Sequence, residues 1–104
     1  MKRYGQVIGV RPEKLAYYKK LHAQPWPEVT AMIKACNIQN YSIYLFEDRL
    51  FAYFEYVGAD FEADMAKMAA DPATQRWWAE TDPCQFTLLD GEKWVMMEEV
   101  FHLD

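Results

Sequence analysis

Residues 39–57 read QNYSIYLFEDRLFAYFEYV, two runs rich in aromatic and branched side chains around Glu47-Asp48. Such side chains favour a pleated surface, and an acidic pair between two such runs marks a turn, so the stretch predicts a β-hairpin. Period-two alternation puts Tyr41, Ile43 and Leu45 on one face of the first strand and Ser42, Tyr44 and Phe46 on the other. On the second strand Leu50, Ala52, Phe54 and Tyr56 oppose Phe51, Tyr53, Glu55 and Val57. Both faces are apolar, so both should be covered, one by helices and the other by something else. Glu55 stands mid-strand among aromatics. A carboxylate there needs a partner, so it is either paired structurally or part of a site.

Working outward, residues 2–10 read as a first strand, with Gly5 and Gly9 allowing close approach to its backbone. Arg11-Pro12-Glu13 opens a helix on which Leu15, Tyr18 and His22 share a stripe. Pro25 and Pro27 interrupt it, and a second helix restarts at Pro27-Glu28 with Val29, Met32, Ile33 and Cys36 buried. After the hairpin, Asp60 caps a helix bearing Phe61, Met65 and Met68, and Asp71-Pro72 starts another through Trp77-Trp78. A loop over Thr81 to Lys93 and a last strand from about Trp94 to Leu103 complete the chain. The order β-α-β-β-α-β is α+β, the ferredoxin-like split β-α-β sandwich, in which helices cover one sheet face. No repeat or linker interrupts it, so residues 1–104 read as a single domain. The face left open carries Tyr and Phe, and pairing two such sheets would bury it in a dimeric α+β barrel, a homodimer.

A net charge of −5 argues against nucleic acid, whose phosphates need a basic face. No apolar run approaches the roughly 18 residues needed to cross a membrane, and the N-terminus lacks a signal-peptide core. Cys36 and Cys84 read as reduced thiols of a cytoplasmic protein, and His22 and His102 have no thiol or acidic partner at ligand spacing, so no metal is expected. Aromatic residues reach 16 %, an excess that suits a pocket for sugars, whose C–H faces stack on rings.

Within that pocket His22 is the group that can exchange a proton near neutral pH, with Tyr18 one turn earlier; the plain alternative is a histidine favoured at a helix end by the dipole. Trp26 reads as a plug. Adjacent helical residues point about 100° apart, so one of Trp77 and Trp78 should be core and the other should line a cavity or interface. Tyr41 starts a strand beside a loop, where ligand contact and core packing are nearly even readings. His102 reads as packing at the sheet end. No catalytic triad, paired carboxylates or phosphate loop is present, so any chemistry must be light.

The stretches YYKKLHAQPWPEV, NYSIYL, LFAYFEY, QRWW and MEEVFHL, in this order, resemble the L-rhamnose mutarotase family across nearly the whole chain. The resemblance implies a cofactor-free dimeric isomerase that interconverts the α and β anomers of a 6-deoxy-hexose. It implies His22 as the proton donor and Tyr18, Tyr41, Trp77 and Trp78 as sugar-binding residues. The expected mechanism has protonated His22 delivering its proton to the ring oxygen, while the base is a tyrosine, Glu55 or a bound water. Better-known members carry an NPDNSP-like segment where this chain has TDPCQFTLLDGEKW, a departure that leaves L-fucose as the alternative substrate. Two further alternatives are a monooxygenase on the same barrel architecture and a non-catalytic sugar-binding module.

Overall fold

The computed structural model describes residues 1–104. Strand β1 spans Lys2–Val10 and is followed, after a 3-10 turn at Pro12–Lys14, by helices α1 (Leu15–Ala23) and α2 (Pro27–Ala35). The hairpin is β2 (Ile38–Phe46) and β3 (Arg49–Tyr56), with Glu47 in the left-handed region at the turn (φ 55°). Helices α3 (Phe61–Ala70) and α4 (Pro72–Thr81) follow, then a 3-10 turn at Asp82–Cys84 and two short strands, β4 (Gln85–Phe86) and β5 (Val95–Met97).

The expected caps form. The Asp60 carboxylate accepts from the Ala63 amide at 3.1 Å, and Asp71 accepts from both the amide and the hydroxyl of Thr74 at 2.9 Å. Each satisfies amides that a helix start would otherwise leave unpaired.

All strand pairs are antiparallel, in the order β2-β3-β1-β4, and β5 also pairs with β1. This is the ferredoxin-like order. The fourth strand position is divided: β4 lies beside Gly9 and Val10, and β5 lies beside Gly5 to Val7. The Phe86 ring crosses over Gly9 so closely that a Cβ there would sit 2.4 Å from it. The expected strand over 94–103 is therefore corrected to Val95–Met97. Antiparallel to β1, a segment that pairs Met97 with Gly5 has only Tyr4 to Lys2 left to meet. Beyond it Glu99 pairs with Arg3 at 3.0 Å, while Val100, Phe101 and Leu103 stand exposed. His102 also lies past the sheet, paired with Asp104 at 2.7 Å, and does not pack at its end.

Helices cover one face only. Ile8, Val10, Leu50 and Tyr18 join Cys84 in one buried cluster, and Ile38, Phe54, Tyr56, Cys36 and Met68 form another. Cys36 and Cys84 are buried free thiols in separate clusters. On the opposite face Tyr44 and Phe46 are 66 % and 67 % exposed.

The sheet contains one irregularity that sequence alternation missed. The β2–β3 register slips between Gln39 and Ser42, where β2 carries one extra residue and Asn40 takes a left-handed conformation (φ 50°). A bulge of this kind resets the side-chain frame. It lets Ile38 and Tyr41, three residues apart, both face the helices: Ile38 enters the core and the Tyr41 ring lies 5.7 Å from that of Phe54.

Candidate active site

The site starts from a helix that stops. After Ala23 the backbone leaves helical geometry at Gln24 (φ −137°, ψ 73°), and Pro25 and Pro27 follow. Tyr18 and His22 sit one turn apart on the inward face of that last stretch. His22 Nδ1 donates to the Tyr18 carbonyl at 2.8 Å. A carbonyl can only accept, so the proton of the neutral ring is on Nδ1 and the Nε2 lone pair stays free.

The imidazole is also held by aromatic contacts. It stacks on the Tyr18 ring at 4.2 Å and meets the edge of Trp77 at 5.2 Å. Trp77 is braced in turn by Trp26, edge-on at 5.1 Å, so the indole between the two prolines buttresses the ring that touches His22. That accounts for the crowding of histidine, phenol, indole and proline in YYKKLHAQPWPEV.

Between helices and sheet lies a cavity of about 390 Å³. Tyr18, His22, Tyr41, Trp77 and Trp78 all contribute to its wall. As the 100° rule requires, Trp77 is buried and Trp78 is partly exposed. A second hollow of about 500 Å³ shares His22, Tyr41 and Trp77, and extends past Pro25, Thr30 and Asn40. His22 thus borders open space and is only half-buried.

Burial lowers the His22 pKa below the ordinary histidine value, and its bond to the Tyr18 carbonyl opposes that shift. Burial, with a smaller push from Tyr41, carries the Tyr18 phenol well above its ordinary range, while a hydrogen bond with Gln85 pulls the other way. Protein crowds the Tyr41 hydroxyl although part of its ring is open, and that burial pushes its pKa up to about 12. Both phenols are neutral at physiological pH and can donate; the imidazole is mainly neutral and can accept.

Glu55 lies elsewhere. It is on the face away from the helices, opposite Arg3 in register, and accepts hydrogen bonds from Gln39, Asn40 and Tyr53 at 2.7–3.2 Å. Those donors, Asn40 first, hold its pKa down. It is a structural acceptor that anchors the bulge, not a wall residue.

Several wall residues escaped the sequence reading: Gln6, Asp82, Gln85, Lys93, Trp94 and Met96. Gln6 had a signal, a polar residue in the alternation that also sets Ile8 and Val10 inward. The others come from the 81–97 segment, which has no periodicity to read. There Lys93 reaches back to Asp82 at 2.6 Å and ties the ends of the loop together beside the cavity.

Fold and site together define a small α+β protein whose helix-covered sheet encloses an aromatic pocket with one imidazole on its wall. The family model described as L-rhamnose mutarotase matches residues 3–103. The L-rhamnose mutarotase of Bacillus subtilis (strain 168) is 37 % identical, and that of Oceanobacillus iheyensis 35 % identical, each over the full length of both chains. The chain belongs to the L-rhamnose mutarotase family. Among solved structures, an L-rhamnose mutarotase from Formosa agariphila superposes with a TM-score of 0.81 at 23 % identity, covering both chains completely. A tetracenomycin F2 cyclase from Streptomyces glaucescens gives 0.75 at 11 % identity, covering all of this chain and 98 % of its own. These two likenesses establish the fold, the α+β barrel type.

Proposed function

We propose that this chain is an L-rhamnose mutarotase, interconverting the α and β pyranose anomers with His22 as the proton-transferring group and Tyr18, Tyr41, Trp77 and Trp78 as the sugar-binding residues. The observation that carries the reading is the imidazole itself. Its Nδ1–H is committed to the Tyr18 carbonyl, so Nε2 is left as acceptor on the wall of a ring-lined cavity. Full-length similarity to enzymes of that name supplies the substrate class.

The chemistry balances on one nitrogen. Neutral Nε2 takes the proton of the anomeric hydroxyl as the bond between the anomeric carbon and the ring oxygen breaks. The imidazolium so formed gives that proton to the ring oxygen, leaving an open-chain aldehyde. Rotation about the bond to the aldehyde carbon and reversal of both transfers close the other anomer. His22 is then the donor that the sequence suggested, but it becomes protonated within the cycle. The neutral phenols of Tyr18 and Tyr41 donate to sugar oxygens, and the indoles cover the C–H face. Glu55, on the far face of the sheet, takes no part in this cycle.

Replacing His22 by alanine should slow catalysed exchange by about 10²–10⁴-fold, or about 3–5 kcal/mol of barrier. Exchange between the anomeric proton signals of L-rhamnose measures it, and a variant as fast as the parent would sink the assignment. We further propose a cytoplasmic homodimer in which the exposed Tyr44–Phe46 face meets a second copy.

A further inference from the structure

The Gln6 side chain on the cavity wall is polar and has no partner within the protein. Gln6 lies mid-way along β1, with Ala52 of β3 and Met96 of β5 opposite it in register. It is only 9 % exposed, its neighbours on the same face are Tyr4 and Ile8, and what surface it keeps lines the cavity. Its carboxamide makes no hydrogen bond within the protein, although no side-chain polar atom that is wholly sealed from solvent goes unpaired. Its polar atoms are thus not sealed in protein but open to the cavity, at a position flanked by apolar residues where an aliphatic side chain would pack as well. The amide is therefore placed to meet something that enters the cavity.

An amide offers an acceptor and two donors side by side, which suits adjacent hydroxyls on a pyranose ring. The indole faces, which meet C–H bonds, do not by themselves distinguish an axial hydroxyl from an equatorial one. We propose that Gln6 is a specificity-determining residue that hydrogen-bonds ring hydroxyls of the bound sugar from the cavity floor and so selects among 6-deoxy-hexose epimers. This rests on the cavity being the mutarotase site. A site built to bond a hydroxyl rejects the epimer that turns it away, because the amide is then left bare.

The test is Gln6→Met, which removes the hydrogen bonds and keeps most of the volume, with Gln6→Ala as a second variant should the first fail to fold. Anomer exchange is followed by NMR for L-rhamnose and L-fucose, with KM, kcat and the thermal midpoint measured for each protein. The expected result is a rise of about tenfold or more in KM for the preferred sugar. The kcat/KM ratio between the two sugars should fall by a similar factor, with kcat less affected and the thermal midpoint unchanged or raised. Unchanged KM and sugar preference would overturn the assignment. So would a lowered midpoint with equal losses for both sugars, which marks a structural amide, or a parent that does not distinguish the sugars. A parent that catalyses no exchange would instead remove the mutarotase reading itself, and this inference with it.

Discussion

His22 shows how much one backbone hydrogen bond decides. Because Nδ1 is spent on the Tyr18 carbonyl, Nε2 is the nitrogen left to carry the proposed acid–base role, and burial favours the neutral ring. The pH dependence follows in sign. The unfolded chain protonates this group near 6.5, the folded chain only at a lower pH, so between those values the unfolded state binds more protons. As pH falls through that window, His22 works against the fold; above about 6.5 it does not. The same depressed pKa should shape the kinetics. The kcat/KM for anomer exchange should be flat near neutrality and fall on the acid side with a midpoint below 6.5, and the residual rate of His22→Gln should lack that limb. Rates that climb on acidification would mean that imidazolium, not imidazole, begins the cycle. At this scale the sequence was informative: His22, Tyr18, Tyr41, Trp77 and Trp78 were all singled out, and all five reach one cavity. What it withheld was the protonation state, which depends on burial.

At the scale of elements, the hairpin and the capped helices were legible because their signals are local: alternation in 39–57, and Asp before a helix start at 60 and 71. The bulge at Asn40 was not, since an extra residue in one strand is set by what both of its flanks must bury. Its cost is testable. Asn tolerates the left-handed backbone and also donates to Glu55 at 2.7 Å; valine does neither. Asn40→Val should therefore lose about 1–3 kcal/mol in chemical denaturation and weaken sugar binding by turning Tyr41, while Asn40→Gly should lose less. The overlong final strand has a related cause. Val100, Phe101 and Leu103 carry strand-like apolar character, but nothing in the pattern states whether a free edge remains beside β1. Gln6, by contrast, is legible: the alternation that turns Ile8 and Val10 inward turns it inward too.

For the whole molecule, the one-sided layering leaves Tyr44 and Phe46 bare, with Phe51 and Tyr53 half-covered on the same sheet face. Monomers rarely keep so much contiguous apolar surface in water. Sedimentation or light scattering should give twice the 12.3 kDa of one chain, and Tyr44→Glu combined with Phe46→Glu should shift it to the monomer. A parent monomeric at micromolar concentration would refute the pairing. The α+β class and the family were both readable from the chain, because the motifs lie on α1, α2, β2, β3 and α4, which together supply most of the aromatic wall.

Whether His22 transfers the proton is decided by two-dimensional exchange NMR on the anomeric protons of L-rhamnose, with the parent protein and with His22→Ala at matched concentration and verified fold. Strong α–β cross-peaks are expected with the parent, and a return to near the spontaneous rate with the variant. Equal cross-peaks from both proteins would contradict that role.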